Sequence, residues 1–185
     1  MIRAYECAAY QRVKGQTGIF DRAFSVISTG FLMPLLDHLP ADGVMIGVSA
    51  TSKKHLLEHI SAHAGSLTGV PARAIFDALI QRERLGSTAI GGGMAIPHAV
   101  FAGLTQSVVI ITTLERAVAF DAHDKKPVDI ICTILGPDQA DCDHLKLVSM
   151  AAKHLADGTI CQAMRGAKTV SDIRHCFDQH HASAA

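Results

Sequence analysis

One histidine in this sequence follows a run of residues that would hold its side chain rigidly. Ala95, Ile96 and Pro97 precede His98, and the proline fixes its own φ and restricts the backbone of Ile96. A held imidazole can keep one nitrogen unprotonated while the other donates its proton to a fixed acceptor. Because imidazole, with a pKa of about 6.5, is mostly neutral near pH 7, such a histidine could accept a phosphoryl group. The alternative is that the Pro-His pair only ends a strand.

Three consecutive glycines lie a few residues upstream of this histidine. Gly91, Gly92 and Gly93 permit positive φ and let the backbone approach itself or a ligand closely. The segment does not fit the GxxxxGK[ST] pattern of a P-loop, and it is not a GxGxxG placed between a strand and a long helix. A turn is therefore the simpler interpretation, ahead of a phosphate cradle.

Other histidines could bind a metal ion. His55, His59 and His63 recur every four residues, so they share one face of a predicted helix, and two such side chains can clamp zinc or nickel. A third ligand is not obvious nearby and His-Glu-x-x-His is absent, which favours a solvated histidine face. A second group near the C-terminus, interpreted as an exposed tail, comprises His175, Cys176, His180 and His181.

The elements that must position these residues follow from hydrophobic periodicity and from capping residues. Runs typical of strands occupy 44–48, 88–90, 94–96, 107–113 and 128–135. Helices are predicted over 52–67, 71–84, 142–156, 160–166 and 171–180. Strands in the middle of the chain with helices before and after them predict a layered α/β fold.

Composition excludes several classes of function. The 17 basic and 17 acidic side chains balance, so no net charge recruits nucleic acid, and the absence of tryptophan argues against base-stacking platforms. Five cysteines without CxxC spacing indicate free thiols in a reducing compartment. No apolar run reaches the roughly 18 residues of a membrane helix, and the N-terminus lacks a signal-peptide pattern. We therefore expect a cytoplasmic protein.

The segment around His98 resembles the signature of enzyme IIA proteins of the fructose–mannitol class in the bacterial sugar phosphotransferase system, including their nitrogen-regulatory branch. The matching residues are Arg82-Glu83, Thr88, Gly91 to Gly93 and Ala95-Ile96-Pro97-His98. Further matches, in the family's order, are Ala50 to Lys54, Asp121-Ala122-His123-Asp124, Pro127-Val128, His144-Leu145 and Leu155-Ala156-Asp157. The resemblance extends over about 33–178.

The resemblance implies roles for individual side chains. His98 would be the phosphorylated histidine, His144 would donate a hydrogen bond to the phosphoryl group or the partner, and Arg82 would offer its guanidinium to phosphate oxygens. This agrees with the chemistry, because phosphoryl transfer mainly needs charge stabilised on the equatorial oxygens. Thr88 and Ser87 carry hydroxyls that could order the site. No metal or other cofactor is expected when the donor is a phosphohistidine.

The resemblance also implies a fold and partners. The fold would be a mixed, mainly parallel sheet of about five strands with helices on both faces. The donor would be the phosphohistidine of an HPr-type carrier, and the acceptor would be a IIB cysteine or a regulatory protein, with no nucleic acid and no membrane insertion. No IIB or membrane IIC segment is evident, so a free-standing enzyme IIA of the nitrogen-regulatory branch is favoured.

Two organisational questions stay open at this point. Residues 33–180 are predicted to form the enzyme IIA type 2 domain, whereas 1–32 show no steady period and are interpreted as a poorly ordered extension. The alternative for the extension is a helix with an apolar stripe of Phe20, Phe24 and Ile27. Two rival functions also remain: a regulatory binding module switched by phosphorylation, and a His-rich metal-binding helix protein.

Overall fold

A sheet of six strands forms the centre of residues 35–138 and 141–178, which are the residues that the computed structural model describes. Its strands are β1 (Val44–Val48), β2 (Ala89–Gly91), β3 (Met94–Ala95), β4 (His98–Phe101), β5 (Val108–Val118) and β6 (Val128–Pro137). The helices are a 3-10 helix (Leu35–His38), α1 (Lys53–Thr68), α2 (Ala72–Arg84), α3 (Asp141–Leu155), α4 (Gly158–Gly166) and α5 (Val170–Asp178). The predicted extension over 1–32, with its possible helix, lies outside the described residues, as do His180 and His181.

The sheet has the order β1-β5-β6-β3-β2, and β4 also pairs with β6. Strands β1 and β5, β3 and β6, and β4 and β6 run parallel, whereas β5 and β6, and β2 and β3, run antiparallel. The predicted mixed and mainly parallel sheet is confirmed. The described chain has six strands instead of about five, because the residues from His98 onward form the additional strand β4.

Strands β3 and β4 lie one after the other along the same side of β6, with a break at Pro97 between them. Proline cannot donate a backbone hydrogen bond, but its carbonyl accepts one from Ile134 at 3.0 Å. Just before the break, the Ile96 amide donates to the Thr88 carbonyl at 3.0 Å. The backbone on both sides of Pro97 is therefore held, and His98 begins β4 opposite Ile134.

Helix α1 begins and ends at the residues whose chemistry predicts it. The Ser52 hydroxyl accepts a hydrogen bond from the backbone N–H of His55 at 3.2 Å, as an N-cap. Gly69 has a φ of 75° and donates its N–H to the Gly65 carbonyl at 2.9 Å, which closes the C-terminus. Helix α2 follows Pro71 and ends at Arg84, in agreement with the predicted range.

Helices cover both faces of the sheet, as predicted. Helices α1 and α2 pack on one face and bury Leu56, Leu57, Ile60, Ile75 and Leu79. The 3-10 helix and α3 to α5 pack on the other and bury Leu35, Leu147, Leu155, Ile160, Met164 and Ile173. Strand β6 supplies both cores, with Ile130, Cys132 and Ile134 on one side and Ile131 and Leu135 on the other. Among the described helices, none has the length and apolar character needed to cross a membrane.

Candidate active site

The two ring nitrogens of His98 have different partners. Nδ1 lies 2.8 Å from the Ile96 carbonyl oxygen, and Nε2 lies 3.0 Å from the Nε of Arg82. A guanidinium can only donate, so Nε2 is the unprotonated acceptor and Nδ1 carries the proton that is donated to Ile96. The ring is half-buried, and its Nε2 lone pair is the one available for nucleophilic attack.

Burial is the largest cause that lowers the pKa of His98 below 6.5, and the positive charge of Arg82 lowers it further. The hydrogen bond to the Ile96 carbonyl and the charge of Glu83 act in the opposite direction without reversing the shift. The imidazole is therefore neutral at pH 7, the state in which it can attack phosphorus.

Arg82 reaches His98 from the last turn of α2. Its Nη1 donates to the Gly86 carbonyl at 3.1 Å while its Nε donates to the imidazole, so two acceptors orient the planar guanidinium. The backbone turns away at Leu85 and Gly86, and their N–H groups close the helix by donating to the carbonyls of Arg82 and Glu83, respectively, each at 3.2 Å. The end of α2 thus places a permanent positive charge beside Nε2.

His144 approaches the same place from the opposite layer of the fold. It lies in the first turn of α3, and its ring centroid is 5.9 Å from that of His98, with a tilt of 55° between the rings. Its side chain is 5% exposed. Gly136 in β6 packs directly against this ring, so that a Cβ at position 136 would overlap with His144 Nδ1. A glycine at that position is what lets the second histidine come near the first.

The hydroxyls of Thr88 and Ser87 donate into the protein. Thr88 Oγ1 donates to Glu83 Oε2 at 2.6 Å and its backbone N–H donates to the same oxygen at 2.9 Å. Ser87 Oγ donates to the Phe120 carbonyl at 2.6 Å. The structure thus brings Arg82 and His98 into direct contact and has Thr88 and Ser87 hold the segment that joins α2 to β2.

Glu83 and Lys53 were not singled out by the sequence analysis, although both lie within the motifs quoted there. Glu83 is 8% exposed, and its Oε1 lies 3.2 Å from Lys53 Nζ. Lys53 also contacts Asp121 Oδ2 at 2.5 Å. Burial lowers the pKa of Lys53, but the hydrogen bonds to Asp121 and Glu83 outweigh it and leave the pKa raised. The buried Glu83 carboxylate therefore links α1 to the end of α2, next to Arg82. In the sequence, only the Arg-Glu and Lys-Lys pairs that contain Glu83 and Lys53 could have indicated this ion pair.

The glycine triplet forms the turn between β2 and β3, as the simpler interpretation predicted. The Gly92 N–H donates to Asp124 Oδ2 at 2.8 Å, and the Gly92 carbonyl accepts from Arg165 Nη2 at 2.8 Å. Arg165 also pairs with Asp129 through Nε and Nη2, at 2.7 and 2.8 Å. The turn is clamped by neighbouring side chains and is separated from His98 by β3.

The histidines proposed as metal ligands do not converge as a trio. His55 and His59 approach each other, with 2.8 Å between their Nε2 atoms, whereas His63 Nε2 lies 2.7 Å from the Asp42 carbonyl. Near the C-terminus, His175 and Cys176 each face a backbone carbonyl of their own helix. Within the described ranges, no group of three or more His, Cys, Asp or Glu side chains is arranged to hold a metal ion.

Comparison with known proteins gives consistent matches. The family model of "Phosphoenolpyruvate-dependent sugar phosphotransferase system, EIIA 2" matches residues 37–180. The nitrogen regulatory protein of Bradyrhizobium diazoefficiens is 35% identical over 153 residues, which cover 83% of this chain and all of that protein. The nitrogen regulatory protein of Escherichia coli K12 is 40% identical over 127 residues, which cover 68% of this chain and 78% of that protein.

A solved structure agrees with these sequence matches. The crystal structure of nitrogen regulatory protein IIA-Ntr from Neisseria meningitidis superposes with a TM-score of 0.73 at 30% identity, covering 76% of this chain and 97% of that one. The layered sheet and the sequence matches point to the same family. This chain belongs to the EIIA 2 family of the phosphoenolpyruvate-dependent sugar phosphotransferase system.

Proposed function

We propose that this chain is a phosphocarrier that receives a phosphoryl group on Nε2 of His98 from the phosphohistidine of an HPr-type protein. The observation that carries the proposal is the hydrogen-bond pattern of the ring, with Nδ1–H on the Ile96 carbonyl and an unprotonated Nε2 beside Arg82. We further propose that a domain of residues 33–180 performs this transfer in the cytoplasm.

The reaction is an exchange of one bond to phosphorus for another. The lone pair of His98 Nε2 forms the new N–P bond as the N–P bond of the donor breaks, and the electron pair of that bond returns to the donor imidazole. The proton stays on Nδ1 and is donated to the Ile96 carbonyl, and this hydrogen bond stabilises the positive charge that develops on the ring. In the onward step, an acceptor cysteine thiolate forms an S–P bond and the electron pair returns to Nε2.

Arg82 must change partner during this exchange. Its Nε–H points at the lone pair that has to meet phosphorus, so transfer requires the guanidinium to leave Nε2. The phosphoryl oxygens are charged and therefore accept stronger hydrogen bonds from the same guanidinium N–H groups. The guanidinium needs to move only a short distance to reach them. His144, at 5.9 Å between ring centroids, is near enough for its ring to contact the phosphoryl group or the partner after a small adjustment.

Apolar side chains flank the site in a way that suits protein partners. Leu85 is 86% exposed, Val100 43% and Leu145 57%, and each lies within three residues of Arg82, His98 or His144 in the sequence. Exposed leucine and valine around a charged centre are typical of docking surfaces in which apolar contacts exclude water from a polar group. We propose that the HPr-type donor and the acceptor dock here in turn.

The direct test is phosphorylation of the purified chain. We expect incubation with phosphoenolpyruvate, enzyme I and HPr to add the mass of one phosphate, in a form that acid removes and base does not. The variant His98→Ala should gain nothing, because the attacking nitrogen is gone. His123→Ala removes an exposed histidine of the β5–β6 loop and is the matched control, which should be labelled like the wild type. Full labelling of His98→Ala would show that another residue is the acceptor.

His144→Ala separates acceptance from delivery. We expect this variant to accept phosphate, more slowly than the wild type, and to transfer it poorly to a IIB cysteine. A variant that delivers phosphate at the wild-type rate would remove His144 from the mechanism.

A regulatory output is the second candidate, and the names of the relatives favour it. The proteins from Bradyrhizobium diazoefficiens and Escherichia coli are both called nitrogen regulatory proteins. In this alternative, a group of charge near −2 on His98 alters partner affinity and is not passed on. Transfer of label to a IIB cysteine distinguishes the two, because a purely regulatory module would keep its phosphate until it is hydrolysed.

A further inference from the structure

The Nε2 atoms of two histidines on α1 lie next to each other. His55 and His59 lie one helical turn apart, and their Nε2 atoms are 2.8 Å apart, with the ring centroids at 4.4 Å and the planes at 75°. His59 is exposed and His55 is half-buried, so the point between the two nitrogens is open to solvent. The third histidine of the series, His63, points instead at the Asp42 carbonyl.

The other nitrogen of His55 is already partnered. The Thr51 backbone N–H donates to His55 Nδ1 at 3.4 Å, which leaves the His55 proton on Nε2, and the Thr51 hydroxyl lies 3.3 Å from the same Nδ1. The hydroxyl can accept as well as donate, so it can accept a hydrogen bond from Nδ1–H in the tautomer whose Nε2 is an electron-pair donor. A hydrogen bond from Nδ1–H to such an oxygen orients an imidazole that binds a metal through Nε2.

We propose that His55 and His59 form a two-histidine site for a divalent transition-metal ion, with nickel(II) or copper(II) favoured over zinc(II). Nitrogens about 2.0 Å from one ion lie about 2.8 Å apart when they occupy neighbouring positions of a square-planar or octahedral set, but about 3.3 Å apart in a tetrahedral set. The two nitrogens are held 2.8 Å apart by their hydrogen bond, so the first arrangement can form without moving them apart, whereas a tetrahedral set requires them to separate. Water completes the coordination, since the described residues supply no third side chain.

Metal binding at this site needs a change of tautomer at His55 and a rotation of both rings, so that the two Nε2 lone pairs turn from each other toward the ion. In the metal-free pair, one Nε2–H donates to the other Nε2; in the complex, both Nε2 atoms face the ion and both protons lie on Nδ1. The ion then links two consecutive turns of α1, close to its N-cap Ser52. The site is independent of phosphoryl transfer, because neither histidine contacts Arg82, His98 or His144 in the structure.

The test is a calorimetric titration of the full chain with nickel chloride, followed by zinc chloride in a separate experiment. Nickel is the probe because copper(II) oxidises the free thiols. We expect a nickel site whose affinity falls at least tenfold in both His55→Gln and His59→Gln. His63→Gln is the matched control on the same helix face and should bind like the wild type. Nickel should also raise the Tm of the wild type, but not that of His59→Gln.

Other histidines of this chain can bind nickel too, so the comparison between variants carries the result. Nickel affinity and Tm shifts that are the same in His55→Gln, His59→Gln and the wild type would overturn the proposal. Equal losses in His63→Gln and His59→Gln would also overturn it, because they would indicate diffuse binding along the helix. Zinc that binds more tightly than nickel to the site lost in His59→Gln would contradict the proposed geometry.

Discussion

The state of the His98 ring depends on a neighbour two residues back and on a guanidinium sixteen residues away. The Ile96 carbonyl accepts a hydrogen bond from Nδ1–H, which decides the tautomer, and Arg82 donates to the lone pair on Nε2. Burial and the Arg82 charge both lower the pKa, so the same surroundings that aim the nitrogen also keep it unprotonated. The orientation and the protonation state of the His98 imidazole therefore both follow from its position between the Ile96 carbonyl and Arg82.

Removing the charge of Arg82 should raise the pKa of His98. We expect Arg82→Gln to move the pKa toward 6.5 without reaching it, because burial, the largest cause of the shift, persists. Arg82→Lys keeps a positive charge without the planar donors, so it should leave the pKa nearer the wild-type value yet slow phosphoryl acceptance about 100-fold or more. Titration of the imidazole followed by nitrogen-15 NMR measures the first effect, and quenched-flow labelling measures the second. An unchanged pKa in Arg82→Gln would contradict the electrostatic argument.

The lowered pKa also links His98 to stability. The unfolded chain takes up the proton at a higher pH than the folded protein does, so the free energy of unfolding falls as the pH drops below about 6.5 and is unaffected by this group at higher pH. In His98→Asn this part of the acid sensitivity should disappear, as urea denaturation at pH 7.5 and pH 5.5 would measure. A pH dependence identical to the wild type would mean that the group is not held neutral.

At the scale of elements, the site lies where the two helical layers meet along β4. Helix α2 brings Arg82 from one face of the sheet and α3 brings His144 from the other, while β4 presents His98 between them. Glu83 fixes the end of α2 by accepting from Thr88 and Lys53. The approach of α3 depends on the glycine at position 136 of β6.

Gly136→Ala should displace α3 at its first turn. The added Cβ would overlap with the His144 ring, which is buried and cannot swing freely into solvent, so we expect a loss of about 1–3 kcal/mol in the free energy of unfolding. Onward transfer of phosphate should fall more than acceptance, because His98 and Arg82 are not touched. Gly158→Ala, at a helical glycine with open space around it, is the matched control. Equal stability of the two variants in urea denaturation would show that His144 yields without cost.

At the scale of the whole molecule, the sheet is buried on both faces, and β6 is its most enclosed strand. Cys132 in β6 is fully buried, which raises the pKa of its thiol to about 12. Cys176 in α5 is half-buried, and burial raises its pKa as well, although it lies near the surface. The two thiols therefore report on different parts of the structure.

Cys132 should react with an alkylating reagent only when the whole domain unfolds. The thiolate is the reactive form. While the two helical layers cover β6, the Cys132 thiol stays protonated and the reagent cannot reach it. Pulse labelling with N-ethylmaleimide in increasing urea, read by mass spectrometry of peptides, should show Cys132 labelled along the global unfolding transition. Cys176 should be labelled at lower urea, as an internal comparison. Labelling of Cys132 in the native protein would imply that the layers open locally.

Several elements of the fold could be predicted because their signals are local. Ser52 and Gly69 delimit α1 through caps made within four residues, and the valine- and isoleucine-rich runs identify β5 and β6. Strand β4 was missed, because His98 to Phe101 becomes a strand only by pairing with the end of β6, nearly forty residues later. The alternative interpretation, in which the Pro-His pair only ends a strand, does not hold, because His98 begins β4.

The sequence alone determined the family, the fold class and the rigid segment that ends at His98, since these depend on residue types at short spacing and on motifs in a fixed order. Tertiary structure decided which groups surround the imidazole. These contacts join different elements: Arg82 donates to Nε2 of His98, His144 packs against Gly136, and Glu83 accepts from Lys53 and Thr88. The physical reason is that burial, charge proximity and hydrogen-bond partners depend on distances in space, which the spacing of residues along a chain does not specify.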